Sequence, residues 1–196
     1  MGKPVKPPAH GDLRVGFVVG PETVAIDVIG PWEAFVDVML PIHLYTVAPT
    51  MDYADLGGIK MKPDYTFGDA PMPHVLVVPG TKALPETLAW IKKASAHADV
   101  TASVCVGAFL LAKAGLLDGL YATTHHGAYD EFAREFPKVK LVRGRRYVEN
   151  ADISCSGGET SGIELALRVI ERYYGKKAAA GSADGMEYVR GAQAWT

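Results

Sequence analysis

The chain has little cysteine, no excess of either charge, and no long uninterrupted apolar run. Each shortage excludes a class of protein. Two cysteines, Cys105 and Cys155, cannot form a disulfide framework, and they point to a reducing compartment where a thiol is free to pack or react. Twenty basic and 22 acidic residues give a formal net charge of −2. That balance argues against a dedicated nucleic-acid binder and against a polyanionic partner. The longest apolar stretch, 100–120, is broken by Lys113, Asp118 and three glycines, which excludes a membrane span there. No CxxC or HExxH spacing occurs, so no metal site is expected. Residues 1–12 are polar and Pro-rich, without the apolar core of a signal peptide. Lys6 stands where a myristoylation site needs Ser or Thr. These absences lead to the expectation of a cytoplasmic protein with a flexible arm over 1–12.

What is present fits one globular domain over 13–196. The 196 residues are 48% hydrophobic and 21% charged. A chain of this length buries roughly 70% of its unfolded surface and needs no disulfide or metal staple. Short apolar runs predict strands at 14–19, 42–47, 75–78, 100–104 and 153–155. Runs such as Val75 to Val78, apolar without alternation, suit strands buried on both faces of a parallel sheet. Helical spacing predicts helices over 32–39, 86–98, 107–114, 129–136 and 160–174, with Pro31 opening the first and Gly115 ending the third. Residues 139–142 and 147–148 suggest a strand pair around Gly144. Strands alternate with helices, so the fold class is α/β: a doubly wound, largely parallel, flavodoxin-like sheet sandwiched by helices.

Chemistry concentrates at Ser103-Val104-Cys105-Val106-Gly107. An apolar strand runs into a helix with Cys at the junction, the layout of a nucleophile elbow. Ala102 and Gly107 permit the tight turn, and the following helix offers its positive end to the sulfur, which favours thiolate. The plain alternative is a buried, inert cysteine. Cys155 has a similar double reading, with packing at a strand end favoured over redox pairing. The adjacent His125 and His126 offer alternative bases, although a histidine lodged at a turn is the preferred reading. On a strand, neighbouring histidines would face opposite ways and make poor joint metal ligands. The segment from Gly157 to Gly162 lacks phosphate-loop spacing and reads as a close-packed turn. The basic run Lys138, Lys140, Arg143, Arg145 and Arg146 reads as a solvated face.

The stretch SVCVGAFLLAKAGLLDGLYATTHH, Ser103 to His126, resembles the DJ-1/PfpI superfamily. More narrowly it is similar to the branch of isocyanide (isonitrile) hydratases and the amidase-like domains of AraC-type regulators. Pro21-Glu22 with Ile26-Asp27-Val28-Ile29-Gly30-Pro31 extends the match. So does Gly157-Gly158 with Thr160 and Gly162-Ile163. The resemblance implies Cys105 as nucleophile and Asp27 as its acidic partner. Topology adds that a carboxylate after the first strand shares an edge with the elbow. A helix-capping role is the alternative for Asp27. Supporting roles are implied for Gly80, Val106, Thr124 and His125, with backbone N–H groups near Gly80 and Val106 facing the substrate.

The implied reaction is hydration of an isocyanide to an N-substituted formamide. Cys105 attacks the terminal carbon, a protonated Asp27 delivers its proton there, and water hydrolyses the thioimidate. No cofactor is implied, and the expected partners are a small-molecule substrate and a second copy of the chain, with Trp32, Phe35 and Trp195 as candidate interface or core residues. Two departures from the pattern stand out: Val106 replaces the hydratases' usual Thr, and Pro79-Gly80-Thr81 replaces Pro-Gly-Gly. Val106 also stands where the proteases of the superfamily carry His. The competing readings are a non-enzymatic redox sensor or small-molecule-binding domain, and an amidase or glyoxalase-type enzyme. An AraC-type regulator would need a helix-turn-helix region, for which the sequence ending at Thr196 leaves no room.

Overall fold

The computed structural model describes residues 2–191. The chain forms β1 (Leu13–Val18), α1 (Ala25–Asp37), β2 (Ile42–Ala48), β3 (Ala54–Leu56), β4 (Ile59–Met61), β5 (Tyr65–Thr66) and β6 (Val75–Val78). It continues with α2 (Pro85–Ser95), β7 (Val100–Ser103), α3 (Gly107–Lys113), β8 (Tyr121–Ala122), a 3-10 turn (His126–Ala128) and α4 (Tyr129–Glu135). It closes with β9 (Lys140–Leu141), β10 (Tyr147–Glu149), β11 (Ile153–Ser156), α5 (Ser161–Tyr174) and α6 (Lys176–Gly185). The main sheet has seven strands in the order β10-β11-β7-β6-β1-β2-β5. All its pairings are parallel except that of edge strand β10 with β11. The expected doubly wound α/β fold is therefore the observed one.

Both sheet faces are covered, as the unalternating apolar strands require. Val15, Phe17, Val75 and Val77 point into one core, closed by α1, α5 and α6. Val18, Leu76 and Val78 point into the other, beneath α2 and α3. Successive residues of one strand thus serve opposite cores. Phe35 belongs to the first core, and Trp32 packs beside it with its ring 5.1 Å from that of Phe17. Trp195 lies outside the described residues. At the N-terminus, the Val5 N–H donates to the Arg172 carbonyl and Arg172 Nε donates to the Lys3 carbonyl, so this segment runs along α5. Among the described residues no helix is long and apolar enough to cross a membrane.

Three local expectations need correction. The first helix begins at Ala25 and carries Pro31 inside it, not at its start. Proline removes only one helical hydrogen bond, and packing holds the helix through that point: a Cβ on Gly30 would lie 3.0 Å from Ile163. The expected pair around Gly144 does not form. β9 pairs with β8 in a separate two-stranded sheet, and β10 pairs with β11, because the larger sheet offers β10 a partner edge. Helix α6 was not foreseen. Its sequence KKAAAGSADG has no large apolar stripe, and it is held by packing on α1 and α5 and by the Ser182 hydroxyl, which donates to the Ala34 carbonyl at 2.7 Å.

Candidate active site

Four loops meet at the carboxyl edge of β11, β7, β6 and β1, which are neighbours in the sheet. The chain winds outward in opposite directions from β1 and β6, so the crevice between their ends is the topological switch point where such sheets bind ligands. Asp27 follows β1, Gly80 follows β6, Cys105 follows β7 and Glu159 follows β11.

Cys105 sits on a strained turn, with φ of 57°, a conformation uncommon for a residue with a side chain. The turn is tied on every side. Val104 N–H donates to the Val78 carbonyl at 2.9 Å, Cys105 N–H to the Gly157 carbonyl at 3.0 Å, and Gly107 N–H to the Val104 carbonyl at 2.8 Å. The Thr124 hydroxyl donates to the Cys105 carbonyl at 2.9 Å, a fourth tie on the elbow's backbone. Gly107 is needed because a Cβ there would run into the Val78 carbonyl oxygen.

Asp27 is fully buried in the first turn of α1. It does not cap its own helix. Instead Oδ2 accepts from the Gly80 N–H at 3.0 Å, while the Gly80 carbonyl accepts from Val24 N–H at 2.9 Å. This exchange clamps the start of α1 to the loop after β6. Oδ1 has no partner of good hydrogen-bonding geometry, and the Cys105 thiol is the donor facing the carboxyl. The backbone N–H groups that interact with the sulfur are those of Glu159 and Val106.

The expectation for the Gly80 and Val106 N–H groups is revised accordingly. Gly80 donates to Asp27, and Val106 serves the sulfur. The Val106 side chain closes over Gly80, where a Cβ would lie 2.8 Å from Val106 Cγ2. Val106 therefore acts as an apolar wall behind the carboxyl.

Burial pushes the Asp27 carboxyl up to about 6, and the Glu159 carboxylate adds to the rise against the pull of the Gly80 N–H and the thiol. Burial likewise pushes the Cys105 thiol up to about 11, with the charges of Asp27 and Glu159 contributing. The N–H groups of Glu159 and Val106 oppose this but do not overcome it. The thiolate expected from the helix end is thus outweighed by burial and two carboxylates. With both groups raised, the pair retains a proton near neutrality.

His125 and His126 are not on a strand. The chain turns into the 3-10 turn at His126, which puts both rings on one side, 4.5 Å between centroids, and not on opposite faces. His125 Nδ1 accepts from Gly127 N–H at 3.1 Å, and its ring lies so close over Gly158 that a Cβ there would be 2.5 Å from His125 Cδ2. His125 belongs to the wall of a cavity of about 270 Å³ that also includes Thr124 and Glu159, two residues that touch Cys105. Sequence reasoning missed Glu159 altogether. Its φ of 47° and its N–H on the sulfur arise from the turn after β11, and only the adjacency of β11 to β7 reveals them.

The DJ-1/PfpI family model matches residues 13–172. The chain belongs to the DJ-1/PfpI family. It is 30% identical over 173 residues to an isonitrile hydratase of Pseudomonas putida, covering 83% of this chain and 73% of that protein. A crystal structure of a ThiJ/PfpI family protein from Pseudomonas syringae superimposes with a TM-score of 0.84 at 28% identity, over 95% of this chain and 79% of that one. The HTH-type transcriptional regulator CdhR of Pseudomonas aeruginosa is 30% identical over 95 residues, 48% of this chain and 28% of the regulator. Across the DJ-1/PfpI match, the elbow, the clamp on Asp27 and the turn after β11 all lie inside the shared region.

Proposed function

We propose that this DJ-1/PfpI protein is a cofactor-independent cysteine enzyme that hydrates isocyanides to N-substituted formamides. The observation that carries the reading is the buried Asp27 carboxyl, held by the Gly80 N–H through Oδ2 and set beside the Cys105 thiol. The similarity to an isonitrile hydratase supports it.

One proton does the work twice. Asp27 takes it from the thiol as sulfur attacks the terminal carbon of R–N≡C. The electron pair that develops on that carbon then takes the same proton back from Asp27, leaving the thioimidate R–N=CH–S–Cys. Water adds to the thioimidate carbon as Asp27 accepts one of its protons. The nitrogen is protonated, the C–S bond breaks, and R–NH–CHO leaves. The sulfur regains its proton, so the sum is one isocyanide plus one water. A carboxyl poised near 6 suits both directions of transfer near neutral pH.

The resemblance to a regulator supports a second reading, a thiol-based sensor. Oxidation and nucleophilic attack both go through the thiolate, which burial disfavours here, so the two readings are separated by turnover. The test is a comparison of wild type, Cys105→Ala and Asp27→Asn on an alkyl isocyanide, methylglyoxal and a p-nitroanilide amide, with formamide followed by mass spectrometry. Formamide from wild type alone supports hydration. Absence of formamide from wild type rejects it, and turnover surviving Cys105→Ala rejects the nucleophile.

A further inference from the structure

The basic run at 138–146 has one member left over. Lys138 pairs with Asp118 at 3.4 Å, and Arg143 with Asp130 at 2.6 Å. Lys140 lies 5.2 Å over the Tyr121 ring, and Arg146 donates to the Tyr188 hydroxyl at 3.0 Å. Arg145 is exposed, makes no hydrogen bond or ion pair among the described residues, and lines the 270 Å³ cavity, whose wall reaches Cys105 through Thr124 and Glu159. The neighbouring rings of His125 and His126, tilted 31° to each other, and Tyr129 line the same space. Tyr129 is itself fixed, its hydroxyl accepting from Gly144 N–H at 3.1 Å and its ring lying under the Arg143 guanidinium at 5.2 Å. The charge opposing Arg145 is Glu159, on the wall nearest the sulfur.

This arrangement separates two chemistries. Near Cys105 the carboxyls of Asp27 and Glu159 repel a negative group. Across the cavity the Arg145 guanidinium, without an ion pair among the described residues, attracts one. We infer that the cavity receives a carboxylate on the substrate, held by Arg145, while the substrate's reactive end meets Cys105. Resting on the hydratase reading, this names the substrate class as isocyanides that carry a carboxylate one or a few bonds from the isocyano group. The cavity has room for a small acid of this kind, and guanidinium is the side chain best matched to carboxylate geometry.

The test reads charge selectivity at Cys105 in two ways. The first is alkylation by iodoacetate against iodoacetamide, in which sulfur displaces iodide, followed at Cys105 by peptide mass spectrometry. The second is turnover of isocyanoacetate against n-butyl isocyanide. A guanidinium lining the site changes encounter with an anion by about fivefold or more. Arg145→Gln is therefore expected to lower both anion-to-neutral ratios by about that factor, and Arg145→Lys to retain most of each. Lys138→Gln, an equal change in net charge on a paired residue, leaves them unchanged. Equal ratios in wild type and Arg145→Gln overturn the inference, as does an equal fall with Lys138→Gln. A Cys105 that neither reagent alkylates also overturns it, because the cavity would then not open onto the thiol. If the alkylation ratio depends on Arg145 but neither isocyanide is hydrated, the hydratase reading falls and the carboxylate site stands. If both isocyanides are hydrated with a ratio indifferent to Arg145, the reverse holds.

Discussion

The two cysteines lie on adjacent strands and have similar acidities, yet only one stands on a strained elbow beside a carboxyl. Both are buried, and burial pushes each thiol up to about 11. Cys155 lies within β11, in register with Ser103, with regular strand backbone and the Ser103 side chain and Thr123 backbone as its polar neighbours. Cys105 lies past the end of β7, on a left-handed turn tied by four hydrogen bonds, and faces a carboxyl. Burial and thiol acidity therefore do not distinguish the two cysteines. Backbone presentation and a neighbouring carboxyl do.

The sharpest way to break this comparison is to remove each sulfur in turn. Cys105→Ala is expected to lower formamide production by about a thousandfold or more, since the covalent route is lost. Cys155→Ala is expected to stay within about threefold of wild type and to cost about 1 kcal/mol of stability through a small cavity, measured by denaturant unfolding. Comparable losses in the two variants would dissolve the distinction.

Removing the proton acceptor comes next. Asp27→Asn is expected to lower kcat by about a hundredfold to ten-thousandfold. It should also raise stability. The raised carboxyl binds its proton more tightly in the folded protein than in the unfolded chain. The stabilisation from protonated Asp27 is thus complete below its ordinary value of 3.8 and is lost as pH rises through about 6. Full loss amounts to about 3 kcal/mol, and losing the Gly80 hydrogen bond offsets part of it. Asp27→Asn should therefore unfold at higher denaturant than wild type at pH 7, with the gap closing toward pH 4. A gap that widens on acidification would contradict the raised carboxyl.

Backbone presentation can be attacked without touching either partner. Gly107→Ala drives a methyl against the Val78 carbonyl and is expected to cost about 2–3 kcal/mol and to displace the elbow, with activity lost beyond the loss of folded protein. The smallest effect concerns the shared proton. Wild-type kcat/KM should rise with pH through an apparent value of about 6, where the pair passes from two protons to one. Glu159→Gln removes a charge that raises both partners, so that limb should move to lower pH, and an unmoved limb would remove Glu159 from the site's electrostatics.

Much of this was legible along the chain because the signals are local. Unalternating runs such as VLVV mark doubly buried strands. The passage from Val100 through Cys105 to Gly107 marks an elbow, since only small residues let a strand turn at once into a helix. The illegible parts are all long-range. Pro31 reads as a helix start unless the packing of Gly30 on Ile163 is known. Helix α6 has no stripe to announce it. A helix end beside a cysteine suggests thiolate until two carboxylates from distant segments are set against it.

By itself the sequence determined the α/β alternation, the elbow at Cys105 and, through family resemblance, the pairing of Cys105 with Asp27. These follow from period, residue size and motif, which are properties of neighbours along the chain. The tertiary structure alone decided which strand ends meet, and hence that Gly80 clamps Asp27, that Glu159 borders the sulfur and that Arg145 lines the cavity with no ion pair among the described residues. Proton affinity and charge selectivity depend on burial and on Coulomb interactions across space. Those are set by strand order in the sheet, which no local pattern encodes.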